Sequence, residues 1–267
     1  MSPYIEVTDL SVAVGAGHRV VDGVSFHVGE GERLGIIGES GSGKSVTTLA
    51  MLGLLPRTLR AGGSILIDGQ QVVGAPERAL QSVRGVKATM VFQDPSTALD
   101  PLARVEKLIA EPIRRHRGLR GSALSSAVKD ALAEVSLPSD DRLLRAFPHE
   151  ISGGQRQRVA IAAALACRPR VLIADEPTTA LDVTVQAEIL DLLTRVADAH
   201  GMGLVFVSHD IAVVSATVER AIVMRSGKVV EEGPVGRLIE EPQDAYTQRL
   251  IGSARALDAA LTTGRIG

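Results

Sequence analysis

The sequence of 267 residues predicts an α/β fold with a mostly parallel sheet core, an N-terminal antiparallel β part and an inserted helical lobe. Three observations predict this fold. Short apolar runs, which are typical of buried parallel strands, alternate with helical patterns over much of the chain. Residues 4–9 and 19–28 alternate apolar and polar positions with the period of two that strands show. From about residue 95 to 168 the strand patterns disappear and helical patterns replace them.

The order of the elements follows from the same patterns. Apolar runs predict the further strands 33–38, 63–68, 88–92, 171–175, 203–208 and 220–225. Helical spacing predicts the helices 46–55, 122–135 and 183–199. Ser122 and Asp182 are the predicted N-caps of the second and third of these helices, because short polar side chains accept hydrogen bonds from the first turn.

Composition narrows the class of protein. The net charge is −2, aromatic residues make up 2% and there is no Trp, so nothing favours a nucleic-acid partner. The basic stretch 114–120 is interpreted as a solvated face of the lobe, with a nucleic-acid patch as the alternative. The single cysteine, Cys167, fits a reducing compartment. No run of about 18 apolar residues predicts a membrane-spanning helix.

Residues 38–45 carry the strongest local motif. They read GESGSGKS, which fits the phosphate-binding pattern G-x-x-x-x-G-K-[ST] between a predicted strand and a predicted helix. Glycines let the backbone N–H groups point at phosphate oxygens, Lys44 supplies a positive charge, and the Ser45 hydroxyl suits Mg²⁺. A Gly/Ser turn that matches by chance is the alternative.

Two further motifs become meaningful only together with the first. The strand 171–175 delivers Asp175 and Glu176 to its carboxyl end, where Asp175 can hold Mg²⁺ and Glu176 can act as a general base toward water. Residues 151–158 read ISGGQRQR, a glycine turn that opens a helix predicted from about Gln155 to Ala166. Taken alone, the acids could be a solvated turn and the glycines an ordinary N-cap.

Six motifs in order carry a family resemblance. GESGSGKS, VFQDP (91–95), ISGGQ (151–155), VLIADEP (171–177), ALD (180–182) and VSHD (207–210) resemble the ATP-binding subunit of an ATP-binding-cassette (ABC) transporter. The resemblance implies one cassette domain over 1–267 of the P-loop NTPase class. Its RecA-like core would be 1–94 and 169–252, its helical lobe about 95–168 and its short C-terminal tail 253–267.

The resemblance also implies residue roles. Two cassettes would sandwich ATP between the phosphate loop of one and the turn Ser152–Gln155 of the other. Gln93 would reach Mg²⁺ and the attacking water, Asp182 would couple the two sites, and His209 would contact the γ-phosphate. The alternative for His209 is a loop histidine without a catalytic role.

The candidate site therefore includes many residues. The catalytic candidates are Glu176, His209 and Lys44. The Mg²⁺ candidates are Ser45, Gln93 and Asp175. The nucleotide-binding candidates are Gly38, Glu39, Ser40, Gly41, Ser42, Gly43, Lys44, Ser45, Val46, Gln93, Ser152, Gly153, Gly154, Gln155, Asp175 and Asp182.

Longer phrases resemble one branch of the family, the importers of peptides and nickel. These phrases are FQDPSTALDP (92–101), residues 148–193 and EEPQDAYTQRLI (240–251). The branch implies two permease subunits, a second ABC ATPase that is a sister cassette or a second copy, and indirectly a substrate-binding protein. The cargo would be peptides or nickel and other metal chelates, and the subunit would lie at the cytoplasmic face of the cell membrane. A soluble ABC ATPase that acts on DNA or ribosomes is the alternative.

One departure from the family pattern concerns the base. The family stacks adenine on an aromatic residue after the first strand, and residues 11–21 contain no Phe, Tyr or Trp. Val14 or His18 would take that place. Because an aromatic stack contributes on the order of 1–3 kcal/mol in nucleic-acid binders, we expect only a modest preference for ATP over GTP.

Overall fold

The structure is a computed structural model that describes residues 3–15, 17–179 and 181–263. The chain forms two compact units, the first comprising residues 1–75 and 205–267 and the second residues 76–204. Within the described residues, no helix combines the length and the apolar character that crossing a membrane requires.

The first unit holds an antiparallel sheet built from the N-terminal part of the chain. Its strands, in spatial order, are β2 (His18–Val28), β1 (Ile5–Val14), β4 (Leu59–Ile67) and β5 (Gln70–Gln71). β1 pairs antiparallel with both β2 and β4, which confirms the predicted antiparallel part. Every second residue of the middle of these strands is buried, as a sheet with one covered face requires.

A second set of strands in the first unit carries the parallel pairing. In spatial order its strands are β10 (Lys228–Pro234), β9 (Arg220–Arg225), β3 (Arg33–Ile37) and β8 (Gly203–Ser208), of which β8 enters this unit at Val205. β3 and β9 run parallel, and β10 pairs antiparallel with β9. The bounds of β8 and β9 match those predicted, because each is a buried apolar run that ends at a polar residue.

Four helices accompany these strands. They are α1 (Lys44–Met51), α9 (Ile211–Thr217), α10 (Val235–Glu240) and α11 (Ala245–Thr263). α11 extends into the segment 253–267, which was predicted as a tail. The apolar spacing in α11 is weak, with Tyr246 and Ile251 among its buried residues, so periodicity gave no signal for it.

The second unit combines one parallel strand pair with helices. The strands are β6 (Ala88–Val91) and β7 (Val171–Asp175), and they pair in parallel over their whole lengths. The helices are α2 (Glu77–Val83), α3 (Pro95–Ala98), α4 (Val105–Arg117), α5 (Gly121–Glu134), α6 (Asp141–Arg145), α7 (Gly153–Leu165) and α8 (Val183–His200). Between β6 and β7 only helical elements occur, as predicted for 95–168.

The predicted cap of α5 is wrong. Arg120, and not Ser122, occupies the N-cap position, so Ser122 lies inside the first turn of the helix. The predicted buried face is nevertheless correct in Val128, Leu132 and the following Val135, each at most 1% exposed. Side-chain preference alone therefore placed the start of α5 about two residues late, which is a common size of error at helix ends.

Candidate functional site

The phosphate loop in the first unit depends on glycines at crowded positions. β3 is buried from Leu34 to Ile37, where it ends, and Gly38 follows directly. A Cβ atom at Gly38 would lie 2.3 Å from the carbonyl oxygen of Met224, and one at Gly43 would lie 2.9 Å from that of Val20. Gly43 also has a φ of 104°, which favours glycine. The loop can therefore follow this path only without side chains at these positions.

Lys44 is the first residue of α1, and its side chain turns back onto the loop. It is 4% exposed, and its Nζ atom donates to the carbonyl oxygens of Gly38 at 2.6 Å and Glu39 at 3.0 Å. The N–H group of Ser42 donates to the same Glu39 carbonyl at 3.2 Å and closes the turn. The loop thus holds a buried ammonium group at the N-terminus of a helix. Both the positive charge and the free N–H groups of the first helical turn favour phosphate oxygens at this place. The next residue, Ser45, has its side chain exposed at the start of α1.

In the second unit, β6 and β7 bring the other candidate groups to one edge. Because the strands are parallel, their carboxyl ends lie at the same edge of the sheet. Gln93 follows β6 at this edge, Asp175 is the last residue of β7, and Glu176 follows it. The Gln93 Nε2 atom lies 3.4 Å from Glu176 Oε2, and the Thr179 hydroxyl donates to the same oxygen at 3.1 Å. Within this unit, Gln93 and Thr179 therefore both contact the Glu176 carboxylate.

Glu176 has an unusual backbone. Its φ is 46°, in the left-handed region that non-glycine residues seldom occupy. Asp175, one residue earlier, ends the buried strand and is 7% exposed, whereas the Glu176 side chain is half-buried. Two adjacent carboxylates thus differ in exposure at a strained turn, and strain of this kind concentrates at functional sites.

The turn at Ser152–Gln155 is a reciprocal N-cap of α7. The N–H of Gln155 donates to Ser152 Oγ at 3.2 Å, and the N–H of Ser152 donates to Gln155 Oε1 at 3.1 Å. α7 begins at Gly153, two residues before the predicted start. A Cβ at Gly154 would lie 2.9 Å from Val185 Cγ1, so close packing of α7 against α8 requires this glycine.

A cavity of about 250 Å³ in the second unit joins two of the candidate motifs. It is lined by Gln93, Asp94, Pro95, Gly153, Arg156, Gln157, Pro177 and Leu181. The glutamine after β6 and the turn before α7 therefore line one space. Asp182, by contrast, caps α8, with the Val185 N–H donating to its Oδ1 atom at 3.0 Å. This confirms the predicted cap.

His209 follows β8 in the first unit and is exposed. The next residue, Asp210, caps α9, and its Oδ1 atom accepts the N–H of Ala212 at 2.9 Å. The N–H of Asp210 donates to Ser208 Oγ at 3.0 Å. The turn that presents His209 is thus held at both of its neighbours.

Two contacts with the candidate residues, and a third beside Glu176, were not predicted. The Thr179 hydroxyl contacts Glu176, as described above. Gln157 is 1% exposed, and its Nε2 atom donates to the Pro177 carbonyl at 2.7 Å. The Tyr246 hydroxyl accepts the N–H of Glu39 at 2.9 Å. The sequence offered a signal only for Gln157, a polar residue on the otherwise apolar face of α7.

The donors present fit ATP and Mg²⁺. The glycine loop with its buried Lys44 suits a triphosphate. The hydroxyl of Ser45 in the first unit, and the amide oxygen of Gln93 and the carboxylate of Asp175 in the second, are each oxygen donors of the kind that Mg²⁺ takes from proteins when phosphate and water supply its other ligands. A strand, phosphate loop and helix, together with an acid pair that ends a parallel strand, define a nucleoside-triphosphate-binding protein of the P-loop class.

Comparison with known proteins identifies the family. The family model described as ABC transporter matches residues 21–179. Three curated relatives are the peptidoglycan transport ATP-binding protein YejF of Agrobacterium fabrum, a probable peptide ABC transporter ATP-binding protein of Sinorhizobium fredii and a putative peptide import ATP-binding protein of Brucella melitensis. They are 47%, 47% and 43% identical over 94%, 88% and 96% of this chain. The chain spans 47% of the length of the first relative, 71% of the second and 79% of the third.

Solved structures agree with this assignment. The dimeric ATP-binding cassette MJ0796 in a post-hydrolysis state, bound to ADP and Pi, has a TM-score of 0.76 and 30% identity, covering 86% of this chain and 98% of its own. The cbiO1 protein of Clostridium perfringens, part of the ABC transporter complex cbiONQ, has a TM-score of 0.77 and 26% identity. The match covers 100% of this chain and 98% of the cbiO1 chain. The chain belongs to the ABC transporter family and is an ATP-binding cassette, which confirms the predicted fold class.

Proposed function

We propose that the chain is the ATP-binding and ATP-hydrolysing subunit of an importer that takes up peptides. The observation that carries the proposal is the Glu176 carboxylate, which Thr179 and Gln93 contact beside the buried Asp175. A carboxylate oriented by neighbouring donors can accept a proton from water, as general-base hydrolysis requires. The names of the relatives, which refer to peptides or peptidoglycan, favour peptides over nickel chelates as the cargo.

Each candidate residue receives a role toward ATP. The loop from Gly38 to Val46 surrounds the phosphates, and Lys44 supplies positive charge to the β- and γ-phosphates. Ser45, Gln93 and Asp175 would hold Mg²⁺, which neutralises phosphate charge when it is bound.

The remaining roles concern the reaction and a second cassette. Glu176 accepts the proton of the attacking water, and His209 contacts the γ-phosphate. The turn Ser152–Gln155 offers the N-terminus of α7 to the nucleotide of the second cassette, and Asp182 couples the two sites. ATP binding would then favour the closed pair, because a ligand shifts a conformational equilibrium only by its difference in affinity for the two states.

The proposed partners follow from the proposed role as the ATPase of an importer. They are two permease subunits, a second ABC ATPase that is either a sister cassette or a second copy, and indirectly a substrate-binding protein. No nucleic acid is included, since the net charge of −2 offers no general attraction to phosphate backbones. The subunit would lie at the cytoplasmic face of the cell membrane, held there by the permeases.

The proposal is tested by trapping the assembly. The variant Glu176→Gln, with an affinity tag, is given ATP and Mg²⁺ and extracted gently from its source membranes, and mass spectrometry identifies the proteins recovered. Two permeases and a cassette partner are expected. Glu30→Gln is the matched control, because this exposed residue lies in the turn between β2 and β3 and loses the same charge. Recovery with ribosomes or DNA and without permeases would contradict the transport function.

A further inference from the structure

Tyr246 is a buried aromatic residue in the first turn of α11. It is 4% exposed, and the guanidinium carbon of Arg225 lies 5.2 Å from the centre of its ring. Its backbone N–H donates to Asp244 Oδ1 at 2.7 Å. Stacking by a cation and a local cap at the helix start both restrict the ring, so the hydroxyl has a defined direction.

The hydroxyl is directed at the phosphate loop. Its oxygen accepts the backbone N–H of Glu39 at 2.9 Å, although the two residues are 207 positions apart in the sequence. Glu39 is the second residue of the GESGSGKS motif. The Tyr246 hydroxyl therefore links α11 directly to the phosphate loop.

The peptide group between Gly38 and Glu39 links this contact to Lys44. Its N–H points to Tyr246, and its carbonyl oxygen, which belongs to Gly38, accepts the Lys44 Nζ atom at 2.6 Å. Because the peptide group is planar and trans, fixing the N–H direction also fixes the carbonyl direction. Hydrogen bonds on both sides of one amide group also strengthen each other. Tyr246 thus orients the acceptor that holds the lysine ammonium.

The position of Tyr246 is itself fixed from β10. The carboxylate of Glu231 accepts the N–H of Gln243 at 2.9 Å and that of Asp244 at 3.1 Å. Burial raises the pKa of the Glu231 carboxyl, but the hydrogen bonds from Gln243, Thr247 and Asp244 together outweigh it, and the net pKa is below its ordinary value. At neutral pH the carboxylate is therefore charged and holds the start of α11 firmly.

We propose that Tyr246 is a positioning residue for the phosphate loop: its hydroxyl sets the plane of the Gly38–Glu39 peptide and so the place of the Lys44 ammonium. This inference rests on the proposed function, since it assigns Tyr246 a part in holding the triphosphate of ATP. Tyr246 acts through the loop and does not touch the nucleotide.

The alternative is that Tyr246 only packs α11. The two roles separate in Tyr246→Phe, which retains the ring and its stacking on Arg225 but loses the hydroxyl. Tyr246→Ala loses both. Tyr4→Phe is the matched control, because it removes the hydroxyl of the chain's other tyrosine, just before β1 in the same unit.

The experiment uses the full chain and measures ATP dissociation constants, KM and kcat for ATP, and melting temperature. A single neutral hydrogen bond predicts an ATP dissociation constant and KM about 2- to 10-fold higher in Tyr246→Phe, with kcat within about twofold of wild type. Tyr246→Ala is expected to lower the melting temperature, and Phe to restore it without restoring affinity. Tyr4→Phe is expected to bind ATP as wild type does.

Two results would overturn the inference. One is a Tyr246→Phe variant that binds ATP with the wild-type dissociation constant. The other is a loss of affinity in both variants that is proportional to the loss of melting temperature in each. Failure of the wild-type chain itself to bind ATP would instead contradict the proposed function, so the two failures are distinguishable.

Discussion

The side-chain amide of Gln157 donates a 2.7 Å hydrogen bond to the carbonyl oxygen of Pro177. Gln157 lies on α7, one turn beyond the glycine turn, and Pro177 directly follows Glu176. Because Gln157 is 1% exposed, the carbonyl has no access to water at this contact. The bond therefore links α7, which follows the turn Ser152–Gln155, to the loop that carries the proposed base.

Removing this bond should be costly. We expect Gln157→Leu to lower the free energy of unfolding by about 1–3 kcal/mol, since it leaves the Pro177 carbonyl buried without a donor. Urea denaturation measures the change. Gln81→Leu, at an exposed position of α2 in the same unit, is the comparison for the loss of a helical side-chain amide, and an equal loss of stability in both variants would contradict the special role of Gln157.

The Thr179 hydroxyl should matter for turnover more than for binding. It donates to Glu176 Oε2 at 3.1 Å, whereas the Gln93 contact to the same oxygen is longer, at 3.4 Å. Thr179→Val retains the shape and removes the donor. We expect kcat for ATP to fall by up to about tenfold, equivalent to 1.4 kcal/mol in the barrier, with KM unchanged.

Thr179→Ser is the control for this prediction, because it keeps the hydroxyl and loses a methyl group. Steady-state ATPase assays compare the three proteins. If the Val and Ser variants have the same kcat, the hydroxyl does not orient Glu176 in the reaction.

The glycine at the end of β3 should not tolerate a side chain. A Cβ at Gly38 would meet the Met224 carbonyl at 2.3 Å, so Gly38→Ala must displace backbone. We expect this variant to lose measurable ATP binding in a titration. Gly236→Ala in α10 is the control, since no atom lies within 4 Å of its Cβ position and alanine favours helix. ATP binding by Gly38→Ala at the wild-type affinity would contradict the proposed loop path.

Glu32 should make stability depend on pH in the acid range. It accepts the N–H of Gly29 at 2.7 Å and the Nε–H of Arg220 at 2.8 Å. Burial raises the pKa of the Glu32 carboxyl, but these donors outweigh it, and the net pKa is below the ordinary 4.5. A lowered pKa in the folded state stabilises the fold above the ordinary value, and this stabilisation is lost as the pH falls through the folded value.

We therefore expect Glu32→Gln to lower the free energy of unfolding at pH 7 by about 1 kcal/mol, a modest value because the pair is partly solvated. The difference from wild type should shrink as the pH falls below the ordinary pKa of 4.5 and through the lowered pKa of the folded state, where the wild-type carboxyl becomes protonated as well. Denaturation at several pH values tests this, with Glu30→Gln as the exposed control. A difference that stays constant down to pH 3 would refute the assignment.

The sequence predicted those features that depend on neighbouring residues. β7, β8 and β9 have the predicted bounds because each is a short buried apolar run that ends at a polar residue. The Asp182 cap was predicted for the same reason: a short carboxylate directly before a periodic helix accepts its first N–H groups.

The features that the sequence did not predict depend on contacts between distant parts of the chain. The hydrogen bond between Glu39 and Tyr246 joins residues 207 positions apart, and no local sequence pattern predicts it. The left-handed φ of Glu176 and the burial of the Gln157 amide arise from tertiary packing rather than from the conformational preferences of these residue types. The replacement of the adenine-stacking aromatic by Val14 or His18, and the modest ATP preference that follows, stay predictions.

The central claim is that Glu176 is the general base of ATP hydrolysis. Its most direct test is the rate of a single ATP turnover in the assembly of Glu176→Gln, measured beside wild type and Glu30→Gln at saturating ATP and Mg²⁺. Loss of a general base predicts a rate at least about 100-fold lower, with ATP still bound. Hydrolysis by Glu176→Gln at the wild-type rate would show that another group activates the water.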